Sequence, residues 1–204
     1  MGFYSRFIFP WLCDFLLDQP LIAEQRRQLL SSAAGHVLEI GFGSGLNLPH
    51  YPQTVRQVTA VDPNSGMQRR AQRRIKQSGI NVDLLETSGE QLPVGDNSID
   101  CVVTTFTLCS VADPTKTLNE IRRVLKPNGC FLFLEHGLSP EPEVEKRQRR
   151  LNWLQGFVGD GCQLDRNIKE LVDAQSFSSL NLDEYYLEKM PKTHAYIYRG
   201  MATK

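Results

Sequence analysis

No apolar run in this chain approaches the ~18 to 20 residues needed to cross a bilayer, and no small-residue cleavage site follows a charged leader. A soluble protein is expected. Excess charge of one sign is also missing: 23 basic residues balance 23 acidic ones, so no overall field draws the chain to nucleic acid or an anionic surface. The five cysteines, Cys13, Cys101, Cys109, Cys130 and Cys162, are odd in number and widely spaced, with no C-x-x-C pair. That excludes a disulfide framework and a zinc knuckle, so no metal is expected and a reducing cytoplasm is the expected compartment. Internal repeats and low-complexity linkers are absent, and 204 residues suit one domain with a substantial core. The chain opens Met1-Gly2 like an acylation signal, but Arg6 stands where that signal needs Ser or Thr.

What is present first is an amphipathic start. Phe3/Tyr4, Phe7/Ile8, Trp11/Leu12 and Phe15/Leu16 recur with a period near four, which predicts one apolar helical face over 3–17, started or kinked at Pro10. Such a helix packs over the domain, lids a substrate pocket, or touches a membrane surface. A polar-faced helix over 21–34 follows. Residues 1–34 are therefore expected to form an N-terminal helical lid or cap, and 35–204 the main domain. The basic clusters at Arg69 to Lys76 and Lys146 to Arg150 read as solvated helix faces.

From residue 35 strand-like and helix-like stretches alternate. Strands are expected over 57–61, 82–85, 99–106 and 130–134, and helices over 65–77, stopped by Gly79, and over 114–125, between Asp113 and Pro127. Alternation of this kind means a parallel sheet with helices on both faces. The last third departs from it. Helices over 145–157 and 166–175, with Asp165 as an N-cap, precede two strands over 180–187 and 194–201 separated by Pro191, which suggests an antiparallel hairpin closing the sheet.

The run Val37-Leu38-Glu39-Ile40-Gly41-Phe42-Gly43-Ser44-Gly45 reads as a buried strand breaking into a glycine turn. In an open α/β sheet such a turn sits at the ligand-binding end of the strands and lets a nucleoside cofactor touch the main chain. Asp62, 17 residues beyond Gly45 and after the second strand, is placed to accept both hydroxyls of a ribose, or else belongs to a turn and cap formed with Pro63 and Asn64. Dinucleotide enzymes want G-x-G-x-x-G, whereas Gly41, Gly43 and Gly45 give G-x-G-x-G. Glu39 adds a carboxylate that suits a cationic amino group and repels a pyrophosphate. The pattern favours S-adenosylmethionine.

These segments, with Gly89-Glu90-Gln91-Leu92-Pro93, Ser98-Ile99-Asp100 and Arg123-Val124-Leu125-Lys126-Pro127-Asn128-Gly129, resemble the class I S-adenosylmethionine-dependent methyltransferases. The resemblance implies a Rossmann-like α/β fold: a seven-stranded, mostly parallel sheet with an antiparallel C-terminal strand, helices on both faces and the N-terminal helical segment added. It implies that Gly41, Phe42, Gly43 and Gly45 wrap the methionine part, with Ser44 and Asn47 in the same turn. Asp62 with Pro63 takes the ribose, Asn64 and Met67 border the adenine, Ser88-Gly89-Glu90 address its edge, and Thr105 and Phe106 floor the pocket beside the sulfonium.

Downstream, Thr107-Leu108-Cys109-Ser110-Val111, Glu135-His136-Gly137, Trp153, Asp160 to Arg166 and Phe177 to Leu180 look like the methyltransferase-like family that includes mammalian membrane-associated thiol methyltransferases and bacterial relatives. Those mammalian members carry a membrane anchor; this chain has only the amphipathic 3–17. The implied reaction is in-line methyl transfer to a small-molecule acceptor, a thiol first, giving S-adenosylhomocysteine. A lipid-amine or quinone-ring methyltransferase and a non-catalytic S-adenosylmethionine-binding regulator are the alternatives. Methyl transfer from a sulfonium needs alignment more than acid-base help. His136, following the fifth strand, is the candidate base or acceptor-holding residue, with orientation of backbone or Glu135 as its other role. Asp160 and Cys162 are expected to border the acceptor pocket.

Overall fold

The computed structural model describes residues 2 to 204. Met1, which opens the expected 1–34 segment and the acylation motif, lies outside them. In chain order the elements are a π-helical turn Tyr4–Ile8, α1 (Phe9–Leu17), α2 (Pro20–Leu30), β1 (Gly35–Ile40), a short 3₁₀ turn Leu48–His50, β2 (Val55–Val61), α3 (Ser65–Ser78), β3 (Asn81–Leu85), β4 (Ile99–Thr105), α4 (Pro114–Val124), β5 (Leu125–His136), α5 (Pro142–Val158), α6 (Ile168–Asp173), β6 (Ser179–Tyr186), α7 (Lys192–Ala195) and β7 (Tyr196–Thr203).

The seven strands lie in the order β3-β2-β1-β4-β5-β7-β6. Every pairing is parallel except those of β7, which runs antiparallel to both β5 and β6. This is the Rossmann-like sheet with the antiparallel C-terminal strand that the motifs imply. Strand order reverses between β1 and β4, which opens a crevice at their C-terminal ends.

Side chains alternate across the sheet with the period of two that a strand imposes. Leu38, Ile40, Val102, Phe131 and Phe133 pack with Leu118 and Ile121 of α4 and Ile168 of α6 on one face. Val37, Val58, Ala60, Val103 and Leu132 pack with Ile22, Leu29 and Leu30 of α2 and Ala71 of α3 on the other. The α2 helix is thus part of the core. The segment that covers the crevice ends near Leu17 rather than at residue 34, because the apolar stripe of α2 is spent on the sheet.

Local chemistry sets the helix ends. Asn64 caps α3 by accepting from Gly66 N at 2.9 Å, and Gly79, at φ +69°, stops it where expected. Asp113 caps α4 through Lys116 N at 3.0 Å. Two expectations need correction. Asn167, not Asp165, caps α6, because Asp165 is already engaged by Asn152 Nδ2 at 2.7 Å. The β5 strand begins at Leu125, before Pro127: Ile99 pairs with Leu125, then the register shifts so that Cys101 meets Cys130. Pro127 has no N–H to give and Asn128 sits at φ +65°, so the intervening residues bulge out of the ladder.

Candidate active site

A cavity of about 250 Å³ opens at the C-terminal ends of β1, β2 and β4. The glycine turn forms its first wall. Gly41 has φ +72°, and a Cβ there would stand 2.1 Å from Thr107 Oγ1, so no other residue fits. Gly43 N donates to Asp62 Oδ2 at 2.8 Å, while Asp62 Oδ1 accepts from Asn64 N at 2.7 Å. The carboxylate is thereby fixed by one backbone N–H on each oxygen, and both oxygens keep lone pairs for a ligand. Burial nonetheless pushes Asp62 above the ordinary carboxylate range, against the pull of those two N–H groups.

A buried polar network forms the second wall. On β1 the alternation that points Val37 toward α2 also points Glu39 there, and on β4 it does the same for Thr105. Thr105 meets Arg26 directly and Glu39 reaches it through Asn47; Arg26 stands on the buried stripe of α2 with Ile22 and Leu29. Arg26 Nη1 donates to Asn47 Oδ1 at 2.7 Å and to Thr105 Oγ1 at 2.8 Å; its Nε is buried without a partner. Glu39 accepts from Asn47 Nδ2 at 2.9 Å and from Tyr51 Oη at 2.6 Å. Burial raises the Glu39 pKa to about 7, although Tyr51, Arg26 and Asn47 all favour its ionised form. Burial likewise lowers Arg26, opposed chiefly by Glu39.

The third wall is the N-terminal segment. Phe9, Cys13 and Leu17 line the cavity from α1. Asn64 Nδ2 donates to Ser5 O at 2.7 Å, Ser5 Oγ donates to Asp160 Oδ1 at 2.7 Å, and Tyr4 Oη donates to Val158 O at 2.6 Å. Asp14 joins the lid to the glycine turn and to α3: it accepts from Ser44 Oγ, from Arg70 at 2.8 Å and from Arg74 at 3.1 Å. Desolvation of Asp14 is outweighed by Ser44 and the two arginines, which hold its pKa below the ordinary 3.8. Gly66 makes the docking possible, since a Cβ there would meet Arg6 O at 2.1 Å. The outer face of the segment, with Phe3, Phe7, Trp11 and Phe15, is exposed, as are Trp153 and Phe157 of α5, and Tyr4 stacks on Phe157.

Behind the cavity wall lies a second cluster. His136 Nε2 is 3.0 Å from Cys162 Sγ, which is 3.8 Å from Cys109 Sγ. All three side chains are buried, and the His136 ring stacks on Phe106, which sits at φ +54°. Burial of His136 would lower its pKa, but Cys162 and Glu135 reverse the direction and raise it. Their mutual contact sets the two thiols apart, holding Cys109 above the ordinary thiol range and Cys162 below it. Glu135 accepts from Thr107 N at 2.8 Å and is pushed up to about 7 by burial.

Of the expected cofactor residues, Glu39, Gly41, Phe42, Gly43, Ser44, Asp62, Pro63, Asn64, Met67, Thr105 and Phe106 line the cavity. Gly45 and Asn47 stand behind that lining in the same turn. Ser88, Gly89 and Glu90 do not reach it: Glu90 accepts from Asp113 N at 3.1 Å, and Gly89 packs against Ile40 and Thr117. His136 and Cys162 are also outside the lining, whereas Asp160 is in it. Phe9, Cys13, Leu17, Arg26, Leu46, Thr107, Ser110 and Val111 line it without having been expected. Arg26 had a signal. It occupies the i+4 place between Ile22 and Leu29, where a helix packed on a sheet wants an apolar residue.

Residues 38–133 match the methyltransferase domain family. The chain is 33% identical over 203 residues to the human thiol S-methyltransferase TMT1A, covering 89% of this chain and 81% of that protein. It is 34% identical over 151 residues to the rat thiol S-methyltransferase TMT1B, covering 72% of this chain and 62% of the relative's length. Among solved structures, the YcgJ protein from Bacillus subtilis superimposes with a TM-score of 0.73 at 16% identity, covering 89% of this chain and 98% of that one. This last likeness is one of fold.

Proposed function

Because this chain belongs to the class I S-adenosylmethionine-dependent methyltransferases, we propose that it methylates a small thiol beneath a lid formed by residues 3–17. The cavity fits the cofactor on its own chemistry. Arg26 and Glu39 present opposite charges side by side, as an amino-acid zwitterion requires, and the unpartnered Arg26 Nε is a donor awaiting a carboxylate. Asp62 with Pro63 would take the ribose hydroxyls, Asn64 and Met67 would border the adenine, and Gly41 to Gly45 with Asn47 would let the backbone approach the methionine part. Bound there, S-adenosylmethionine supplies an electrophilic methyl group on its sulfonium.

The thiol reading rests on one observation: the cavity has almost no acid-base group to spare. Beyond Glu39 and Asp62 its lining holds one acid, Asp160, which already accepts from Ser5 Oγ. Burial keeps Cys13 protonated, with a pKa near 11. An amine must lose a proton before attack, whereas a thiol of pKa ~8.5 ionises readily beside a sulfonium. The chain's role is then to hold the acceptor in line and exclude water: Phe9, Leu17, Phe106 and Val111 supply an apolar enclosure, and the Asp14 contacts hold the lid shut.

The alternative acceptors, a lipid amine or a quinone ring, draw support from the exposed outer face of the lid. Phe3, Phe7, Trp11 and Phe15 beside Arg6 have the composition of a membrane-surface helix. Among the described residues no helix is long and apolar enough to cross a membrane. Turnover of small thiols, primary amines and phenols under matched conditions separates the readings. Thiol methylation without vesicles supports the proposal. Methylation confined to vesicle-borne amines or quinols contradicts it.

A further inference from the structure

The fold brings Cys109, His136 and Cys162 together from three separate segments: the loop after β4, the end of β5 and the loop after α5. Wide sequence spacing gave no sign of a ligand set, so the expectation of no metal is revised by this convergence. We propose that these three side chains bind a thiophilic d¹⁰ cation, Zn²⁺, as a tie between the loops behind the cavity wall. This does not depend on the identity of the methyl acceptor.

The donor geometry supports it. With Zn–S of about 2.3 Å and Zn–N of about 2.0 Å, tetrahedral binding needs roughly 3.8 Å between sulfurs and roughly 3.5 Å from sulfur to nitrogen. The two sulfurs stand 3.8 Å apart, and the Nε2 to Cys162 Sγ separation of 3.0 Å needs to open only slightly. All three donor atoms lie within 4.8 Å of one another. Two thiolates and a neutral imidazole cancel the charge of Zn²⁺, which removes the main cost of burying an ion. Three protein ligands leave a fourth position for a small exogenous ligand.

The surroundings hold the ligands in place before any ion arrives. Gln163 N donates to Cys109 O at 2.8 Å and Arg166 Nη1 to Leu108 O at 2.5 Å, so the loops carrying the two sulfurs are already joined. Ser110 Oγ lies 3.4 Å from Cys109 Sγ, and Gln155 bonds Cys162, giving each thiolate a polar neighbour. His136 Nδ1 is buried without a partner, beside a Glu135 whose Oε1 is also unpartnered. A hydrogen-bonded Cys-His pair alone does not account for the second sulfur, 3.8 Å from the first.

The test uses the full chain, purified under a phosphine reductant and freed of metal. Titration with Co²⁺ is expected to give a sulfur-to-cobalt charge-transfer band that saturates at about one equivalent per chain and is displaced by Zn²⁺. Cys109→Ser and Cys162→Ser should each weaken or abolish the band. Zn²⁺ should raise the melting temperature of the wild type, a readout that needs only the unmodified chain to fold, and leave that of a folded Cys109→Ser/Cys162→Ser variant unchanged. Absence of the band together with an unchanged wild-type melting temperature overturns the proposal, as does a Cys109–Cys162 disulfide that persists in the reductant.

Discussion

Arg26 and Glu39 are joined through one side chain: the Asn47 amide accepts from the guanidinium at 2.7 Å and donates to the carboxylate at 2.9 Å. Asn47 thus holds the two groups apart along the cavity lining. Arg26→Lys, which keeps the charge and loses the fork, should weaken S-adenosylmethionine binding roughly tenfold, and Arg26→Ala by roughly 100-fold. Calorimetric titration measures both. Unchanged affinity in Arg26→Ala would remove the carboxylate role.

Glu39 couples cofactor binding to pH. Its pKa in the folded protein is about 7, against an ordinary 4.5, because of burial. The amino group of the cofactor needs the ionised form, so affinity should rise between about pH 6 and pH 8 in the wild type and stay flat in Glu39→Gln. Stability runs the other way. The folded state holds this proton more tightly than the unfolded chain, so the contribution is complete below pH 4.5 and lost as pH rises through about 7. Glu135, also raised to about 7, adds to the same decline. Glu39→Gln should therefore lose less stability than the wild type across that window, as thermal melts at each pH will show.

Asp14 ties α1 to the glycine turn and to α3. Asp14→Ala removes acceptors for Ser44, Arg70 and Arg74 together, and amide exchange within residues 3–17 should speed roughly tenfold while the sheet keeps its protection. Because Asp14 has a lowered pKa, the tie contributes fully above pH 3.8 and fails as pH falls through the folded value. Exchange unchanged by the substitution would mean that the apolar contacts of Phe9, Cys13 and Leu17 suffice.

Two glycines of the turn separate folding from binding. Gly41→Ala drives a Cβ to 2.1 Å from Thr107 Oγ1, and a cost of about 2 kcal/mol or more is expected. At Gly43 a Cβ meets only Gly41 O, at 3.9 Å, and otherwise enters open space. Gly43→Ala should melt closer to the wild type yet bind the cofactor more weakly, because the methyl group occupies ligand space. Denaturant melts paired with binding titrations distinguish the two.

The sheet and the cofactor end were legible because each signal is local. Alternating hydrophobic strands, Gly79 and Asp113 at helix ends, and the spacing from Gly41 to Asp62 depend on neighbours in sequence. Features that depend on convergence were not. Cys109, His136 and Cys162 come from two loops and the end of β5, and no spacing rule links residues that stand 26 to 27 positions apart. Arg26 was legible only as a charge in an apolar place, four residues after Ile22; its partners Asn47 and Thr105 come from distant segments and had no local signal. Trp11 and Trp153 mislead in the other direction. Both lie in segments the sequence singled out, yet they are 58% and 76% exposed and outside the cavity lining.

The central claim is methyl transfer to sulfur, and its most direct measurement follows the methyl group itself. S-adenosylmethionine carrying a deuterated methyl is incubated with the full chain and a mixture of a small thiol and a small primary amine, and products are read by mass spectrometry. The account predicts a trideuteromethyl thioether formed in equal amount with S-adenosylhomocysteine, and its loss in Asp62→Ala. Label found on the amine, or a tightly bound cofactor that never becomes S-adenosylhomocysteine, would contradict it.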